Sequence, residues 1–183
     1  MKKMIVMGMI VTAMAVLIGC GGPPQEEIAK AEAAKASADA AKANIYVKDA
    51  YGLASMAWND GEAAVKAKEW DKARKAYADA ARQFDEAAKG APAGHNAMKK
   101  ELTDRMLEKS KKHQEMEKEI FPAMKKMTKD NEAKARKLIE ECEAATQAAE
   151  EALAKDDLAA AKEKMDSDDI IDKNMMALVP AKK

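Results

Sequence analysis

The stretch WDKARKAYADAARQFDEAAK, residues 70–89, decides the fold of the chain. Its apolar side chains recur every three or four residues, which places them on one side of an α-helix. They are Trp70, Ala73, Tyr77, Ala80, Ala81, Phe84 and Ala88. The stretch therefore predicts an amphipathic helix that packs aromatic rings and alanines against neighbouring helices.

The composition of the whole chain favours the same architecture. The 32 Lys and Arg residues equal the 32 Asp and Glu residues in number, so the net charge is zero and we expect no nucleic acid partner. Only 8 Gly and 5 Pro residues interrupt the chain, and branched apolar residues are scarce after residue 19. Because strands need such residues, we predict an all-α fold of alanine-rich helical hairpins in bundle or coiled-coil packing, without a sheet.

Breaks in the helical pattern divide the chain into predicted segments. The strongest internal break is GAPAG at 90–94, where we expect the helix that begins at Trp70 to end. We assign residues 25–90 to an alanine-rich helical hairpin region, 91–95 to a linker, 96–178 to a second helical region and 179–183 to a tail.

Finer breaks predict the individual helices. The first region should contain helices over 25–43, 50–68 and 70–89, with the first two separated by the β-branched and aromatic residues of 44–49. The second region should contain a helix from Asn96 that Pro122 kinks or divides, a helix from about Asp130, and a last helix capped by Asp156 and Asp157. For the last helix we expect fraying over the acidic residues 166–172. Its predicted core positions are Leu158, Ala161, Met165, Ile170 and Leu178.

Two segments, 68–77 and 156–165, share one pattern. Each enters a helix from a tight turn with a large apolar residue, then Ala three residues on, then a large apolar residue four further on. This pattern is similar to the turn and second helix of a tetratricopeptide unit, in which the small residue lets two antiparallel helices approach closely. We therefore expect TPR-like close helix contacts at Ala73 and Ala161. Of the first-helix signature only Gly61 is in place, so the chain is not a repeat array.

The first 20 residues read as an export signal. A basic start at Lys2 and Lys3 precedes an apolar run and then the tetrapeptide Leu17-Ile18-Gly19-Cys20. The tetrapeptide resembles the lipobox of bacterial lipoproteins. That resemblance implies a signal peptide over 1–19, acylation of Cys20 with membrane lipid, and a lipidated tether over 20–24. In that family Gly21, not being Asp, favours the periplasmic face of the outer membrane.

Residues 25–90 resemble the alanine-rich helical lipoproteins of unknown function from Gram-negative bacteria. The matching residues are Tyr46, Ala50, Leu53, Ala54, Ala57, Trp70, Ala73, Tyr77 and Ala80, with Val47 where a proline often stands. The resemblance implies a helical module that faces the cell envelope and has no known catalytic residues.

Catalytic chemistry finds little support in the sequence. His95 lies in the Gly/Pro-rich break and His113 in a lysine-rich helix, and no nucleophile elbow, P-loop or dinucleotide-binding motif is present. Cys142 falls at an apolar seam position, with Glu140, Glu141 and Glu143 beside it to raise its pKa. We therefore predict no enzyme activity and a buried, unreactive thiol.

Metal or haem binding is a sharper alternative. One side of the second region's first long helix carries His113 with Met106, Met116, Met124 and Met127, which could supply soft ligands to copper or a His/Met pair to a b-type haem. Methionine also fills gaps between alanines. Because no second histidine stands at a partner position, we favour core packing and predict no metal ligand and no cofactor.

Aromatic residues concentrate in the first region. Tyr46, Tyr51, Trp58 and Trp70 form a candidate interaction surface that could stack on peptidoglycan sugars, whereas the alternative makes them the bulky core of an alanine-lined fold. Taken together, the sequence predicts a non-enzymatic, lipid-anchored periplasmic scaffold or adaptor with an envelope protein as its partner. A metal or haem carrier and a cell-wall glycan-binding module are the alternatives.

Overall fold

The computed structural model describes residues 22–178, and in that range every regular element is an α-helix and there is no strand. The predicted all-α fold is therefore confirmed. The helices are α1 (Gln25–Ala40), α2 (Ala43–Tyr46), α3 (Lys48–Lys66), α4 (Trp70–Met124), α5 (Lys129–Ala154) and α6 (Leu158–Met176). The chain divides into two compact units, Met1–Ala91 (unit 1) and Pro92–Lys183 (unit 2). No helix within 22–178 is long and apolar enough to cross a membrane.

Helix α4 corrects the predicted linker over 91–95. The helix runs through Pro92 and includes His95, and it also contains Pro122. A proline inside a helix costs about 3 kcal/mol. Ala91, directly before this proline, is buried in the core of unit 1, and Leu102 is buried in unit 2. The expected helix end at Gly90 is wrong.

Unit 1 packs α1, α3 and the first part of α4 side by side. Tyr51 of α3 meets Phe84 of α4 edge to face, with 5.2 Å between ring centroids, and Trp58 meets Tyr77 in the same way at 5.3 Å. Later residues of α3 thus face earlier residues of α4, which makes the pair an antiparallel hairpin. The buried residues between the helices are mostly alanines, as the sequence predicts.

The connection between α1 and α3 is tighter than the predicted interruption over 44–49. Helix α1 ends at Ala40, Lys42 adopts a left-handed conformation with φ of 54°, and the single turn of α2 follows. Across this connection the Tyr51 hydroxyl donates a hydrogen bond of 2.6 Å to Asp39. That hydrogen bond, with help from burial, raises the pKa of Tyr51 to about 12.

The two segments of shared pattern form the same turn. Lys68 and Asp156 both have φ of 59°, and the next residue's N–H reaches back to a helix carbonyl: Glu69 to Ala64 and Asp157 to Ala152, each at 2.9 Å. This is the Schellman helix ending, usually built on glycine. Ala73 and Ala161 are both fully buried, as the pattern predicts.

Unit 2 packs the second part of α4 with α5 and α6. Thr128 caps α5 by accepting from the Asn131 N–H, and Asp157 caps α6 by accepting from the Ala160 N–H at 3.2 Å. Side-chain pairs show that α6 runs parallel to this part of α4 and antiparallel to α5; they are Lys109–Asp168, His113–Asp172, Cys142–Asp172 and Thr146–Asp168.

The acidic part of α6 does not fray. The helix continues to Met176, and its buried face carries residues at spacings of three and four: Leu158, Ala161, Met165, Asp168, Asp172 and Met175. Ile170, predicted to be a core residue, falls between these positions and is 60% exposed. The charged residues Asp168 and Asp172 therefore occupy core positions, and their partners in the core keep the helix intact.

Candidate functional site

Four side chains of unit 2 converge in the core between three helices. His113 comes from α4, Cys142 from α5, and Asp168 and Asp172 from α6. Their ligand-type atoms all lie within 4.8 Å of one another, and we call them the His–Cys–Asp cluster. The three helices thus bring one imidazole, one thiol and two carboxylates to a single point.

Helix periodicity explains why these side chains meet. Asp168 and Asp172 are four residues apart on α6, so both lie on the inward face. Cys142 belongs to the apolar stripe of α5 that includes Ala135 and Ala149, and all three are buried. His113 precedes the buried Met116 by three residues on α4, which puts the imidazole on the same face of that helix.

The distances within the cluster are short. The His113 Nε2 atom lies 3.3 Å from Cys142 Sγ, 3.2 Å from Asp172 Oδ1 and 3.5 Å from Asp168 Oδ2. The Cys142 thiol donates to Asp172 Oδ1 at 3.7 Å. Each of the four groups therefore faces at least one other, with no intervening apolar side chain between the paired atoms.

Lysine side chains pair with one oxygen of each carboxylate. The Lys109 ammonium, itself buried, donates to Asp168 Oδ2 at 2.8 Å and pairs with Asp169 Oδ1 at 2.8 Å. Lys112 reaches Asp172 Oδ2 at 3.4 Å. Because these partners engage Oδ2 of each aspartate, Oδ1 of Asp172 is left to face His113 and Cys142.

The charge environment shifts two pKa values in this region. Burial opposes the charged form of Lys109, but its hydrogen bonds to Asp168 and Asp169 outweigh that effect and raise the pKa of the ammonium. Burial, followed by the neighbouring Asp168, also raises the pKa of the Cys142 thiol well above its ordinary value. Without a bound cation, the thiol therefore stays protonated.

One polar atom of the cluster has no partner. Oδ1 of Asp168 is buried and makes no hydrogen bond. A buried carboxylate oxygen without a partner costs about 1–3 kcal/mol, and more when it is charged. The contacts of the Asp168 carboxylate with Lys109, Thr146 and His113 are all made through Oδ2.

Three of the four groups, His113, Cys142 and Asp172, are spaced like the ligands of a tetrahedral transition-metal ion. With bond lengths of about 2.0–2.3 Å, zinc holds its ligand atoms roughly 3.3–3.8 Å apart, close to the 3.2–3.7 Å found between His113, Cys142 and Asp172. Imidazole, thiolate and carboxylate are all zinc ligands. A zinc ion and the Lys109 ammonium would together balance the charge of two carboxylates and a thiolate.

The predicted site residues lie elsewhere. Tyr46, Tyr51 and Trp58 are partly buried and pack against the core of unit 1, and Trp70 is half-buried at the first residue of α4. Their packing supports the core interpretation, and glycan binding stays a prediction. Cys20, the predicted lipidation residue, lies outside the described residues.

The cluster could not be predicted from the sequence, and each of its four members has surroundings that differ from those expected. Asp168 and Asp172 stood within a run expected to fray, and Cys142 was assigned carboxylate neighbours from its own helix. The carboxylates that raise its pKa come from α6 instead. His113, predicted to have no ligand partner, has its partners on α5 and α6.

A cavity of about 50 Å³ adjoins the cluster. It is lined by His113, Met116, Glu117, Ile120, Phe121, Ile139, Cys142, Glu143 and Met175. Cofactor pockets measure about 300–1,000 Å³, so this cavity does not fit the haem that the sequence left open as an alternative.

Comparisons with known proteins give no match: no protein-family model, no curated protein and no solved structure matches this chain. The geometry of unit 2 and the N-terminal sequence are therefore the grounds for a functional proposal.

Proposed function

We propose that this protein is a lipid-anchored, non-enzymatic scaffold of the bacterial envelope whose unit 2 closes around one divalent transition-metal ion, best fitted by zinc. The observation that carries the proposal is the convergence of His113, Cys142, Asp168 and Asp172 from three helices, with their ligand-type atoms within 4.8 Å of one another. Four protein ligands fill a tetrahedral coordination sphere, which is typical of structural zinc sites rather than catalytic ones. The metal would thus stabilise the packing of α4, α5 and α6.

The arrangement around the ligands supports this proposal. Metal-binding carboxylates are usually held by further hydrogen bonds, and here Lys109, Lys112 and Thr146 engage Oδ2 of the two aspartates. Zinc must displace the proton of the Cys142 thiol, whose pKa is raised. Binding should therefore release a proton and weaken as the pH falls.

Titration of the full chain, purified in detergent, with Zn²⁺ tests the proposal. We expect one ion per chain by calorimetry, and a thiolate-to-metal charge-transfer band when Co²⁺ replaces Zn²⁺. Cys142→Ser and Asp168→Asn each remove a ligand, so each should weaken binding at least about 10–100-fold, the loss typical for an orienting residue alone.

Asp166→Asn is the matched control, because Asp166 is on the same helix but half-exposed and paired with Arg105 and Lys162. Its affinity for Zn²⁺ should equal that of the unmodified chain. Equal affinities in Cys142→Ser, Asp168→Asn and the control would refute the zinc site.

The anchor and the location of the protein are part of the proposal and rest on the N-terminal sequence. Acylation at Cys20 would hold the chain at the periplasmic face of the outer membrane. Cys20→Ser should abolish labelling with a radioactive fatty acid and move the protein out of the detergent phase on partitioning. Undiminished labelling of the variant would show that Cys20 is not the anchor.

The scaffold role finds support in unit 1. Leu53 and Met56 are mostly exposed and border an open groove that is also lined by Lys72, Lys75 and Asp79. Photo-crosslinking in cells from position 53 or 56 tests this role, and a failure to capture any envelope protein from both positions would count against it.

A further inference from the structure

Unit 2 offers a second set of metal ligands on the other side of His113. Along α4, Lys109 precedes His113 by four residues and Met116 follows it by three; along the parallel α6, Asp168 precedes Asp172 by four and Met175 follows it by three. One helical step of three residues is about 4.5 Å. The layer of Lys109 and Asp168 and the layer of Met116 and Met175 therefore lie on opposite sides of the layer that holds His113 and Asp172.

The methionine side forms the small cavity described above. Met116 and Met175 are 7% and 4% exposed, and both line the cavity together with His113 and Cys142. Ile120 and Ile139 make up part of the remaining wall. Its volume of about 50 Å³ has room for an ion but not for a hydrated one with a full shell of water.

We propose that this cavity binds a cuprous ion through Cys142, His113 and the thioether sulfurs of Met116 and Met175. Thiolate and thioether sulfur are soft ligands that select Cu(I), and imidazole also binds copper. As the sulfur–copper bond forms, the Cys142 thiol releases its proton to solvent, and no electron is transferred. Because both sites use Cys142 and His113, one chain holds either zinc on the carboxylate side or Cu(I) on the methionine side.

The proposal shares the His113–Cys142 pair with the proposed zinc site, and the test separates the two. The full chain in detergent is titrated with Cu(I) under anaerobic conditions with ascorbate, in competition with a chromophoric cuprous chelator. The double variant Met116→Leu with Met175→Leu keeps the side-chain volume and removes both thioethers. We expect its affinity for Cu(I) to fall at least about tenfold while its affinity for Zn²⁺ is unchanged.

Asp168→Asn should show the opposite result, with weakened Zn²⁺ binding and unchanged Cu(I) binding. Met124→Leu is the matched control, since Met124 is a buried methionine of the same helix outside the cavity lining; it should bind both metals normally. X-ray absorption should show fewer sulfur neighbours around copper in the double variant than in the control.

Each outcome bears on one site. Cu(I) affinity that is equal in the double variant and in Met124→Leu would overturn the methionine site, as would the absence of Cu(I) binding by the unmodified chain. If the unmodified chain bound Cu(I) but not Zn²⁺, the zinc proposal would be overturned and the copper proposal would stand.

Discussion

Lys109→Met is expected to lower the free energy of unfolding by about 3–5 kcal/mol at neutral pH, because it leaves buried carboxylates without their cation. Lys109 is 5% exposed, and its ammonium contacts Asp168, Asp169 and Asp172. Methionine replaces the volume of the side chain but not its charge. Urea denaturation followed by circular dichroism measures the loss.

Lys112→Met is the matched control for this prediction. Lys112 lies on the same helix and pairs with Asp172, but its side chain is 56% exposed. In this variant the buried Asp172 keeps its contact with the Lys109 ammonium at 3.7 Å, so the control should lose less stability than Lys109→Met. Equal losses in the two variants would show that burial of Lys109 is not what makes its charge important.

The pH dependence of the same experiment follows from the pKa shifts. In the folded chain, hydrogen bonds from Lys109 and Arg105 outweigh burial and lower the pKa of Asp169, while the pKa of Lys109 is raised. A lowered carboxylate pKa stabilises the fold above the ordinary value of about 3.9 and ceases to do so as the pH falls through the folded value. The difference between Lys109→Met and the unmodified chain should therefore narrow below about pH 4.

Zinc connects this prediction to the proposed metal site. A bound Zn²⁺ ion supplies positive charge to the carboxylates that Lys109→Met leaves unpaired. At a free concentration 100 times its dissociation constant, a ligand adds about 2.7 kcal/mol, which would recover much of the loss. The double variant Lys109→Met with Asp168→Asn also lacks a proposed zinc ligand, so Zn²⁺ should not restore its stability.

The core of unit 1 could be predicted because its largest residues follow helical spacing. Four buried residues follow one another on α4 at spacings of four, three and four: Ala73, Tyr77, Ala80 and Phe84. Few other bulky residues compete for this core, so the pattern has one solution. The end of α4 could not be predicted. Gly90 and Pro92 are local signals that predict a helix end, but whether the helix continues depends on packing with other helices, which these local signals do not show.

The cluster in unit 2 could not be predicted from the apolar pattern, because two of its members are aspartates at core positions. On α4 the buried residues are seven, seven and four apart: Leu102, Lys109, Met116 and Ile120. On α6 they are three, four and three apart: Met165, Asp168, Asp172 and Met175. Acidic residues four apart on a helix are ordinarily solvated. One signal in the sequence could have identified these two buried aspartates. Asp168 and Asp172 lie between the core methionines Met165 and Met175, at spacings of three, four and three.

Even that signal would not have located the other two members of the cluster, His113 and Cys142. Which residues of α4 and α5 face Asp168 and Asp172 depends on the register of three helices, and a single sequence does not fix that register. Cys142 offered no distinguishing pattern, since a buried thiol in an alanine seam is an ordinary core residue.

Gly61→Ala is expected to destabilise unit 1 by about 1–3 kcal/mol through overpacking. Gly61 of α3 is buried against the ring of Tyr77, and a Cβ atom at this position would lie 2.9 Å from Cε2 and 3.0 Å from Cδ2 and Cζ of that ring. Tyr77 is itself 4% exposed and packs edge to face against Trp58. The ring therefore cannot move away without disturbing a second aromatic contact.

Gly52→Ala provides the opposite expectation in the same helix. No heavy atom lies within 4 Å of a Cβ built at Gly52, so the substitution adds helix propensity without a clash and should stabilise by about 0.5–1 kcal/mol. Chemical denaturation of both variants, followed by circular dichroism, gives the sign of each effect. If Gly61→Ala were stabilised like Gly52→Ala, the close approach of α3 and α4 at Tyr77 would be wrong.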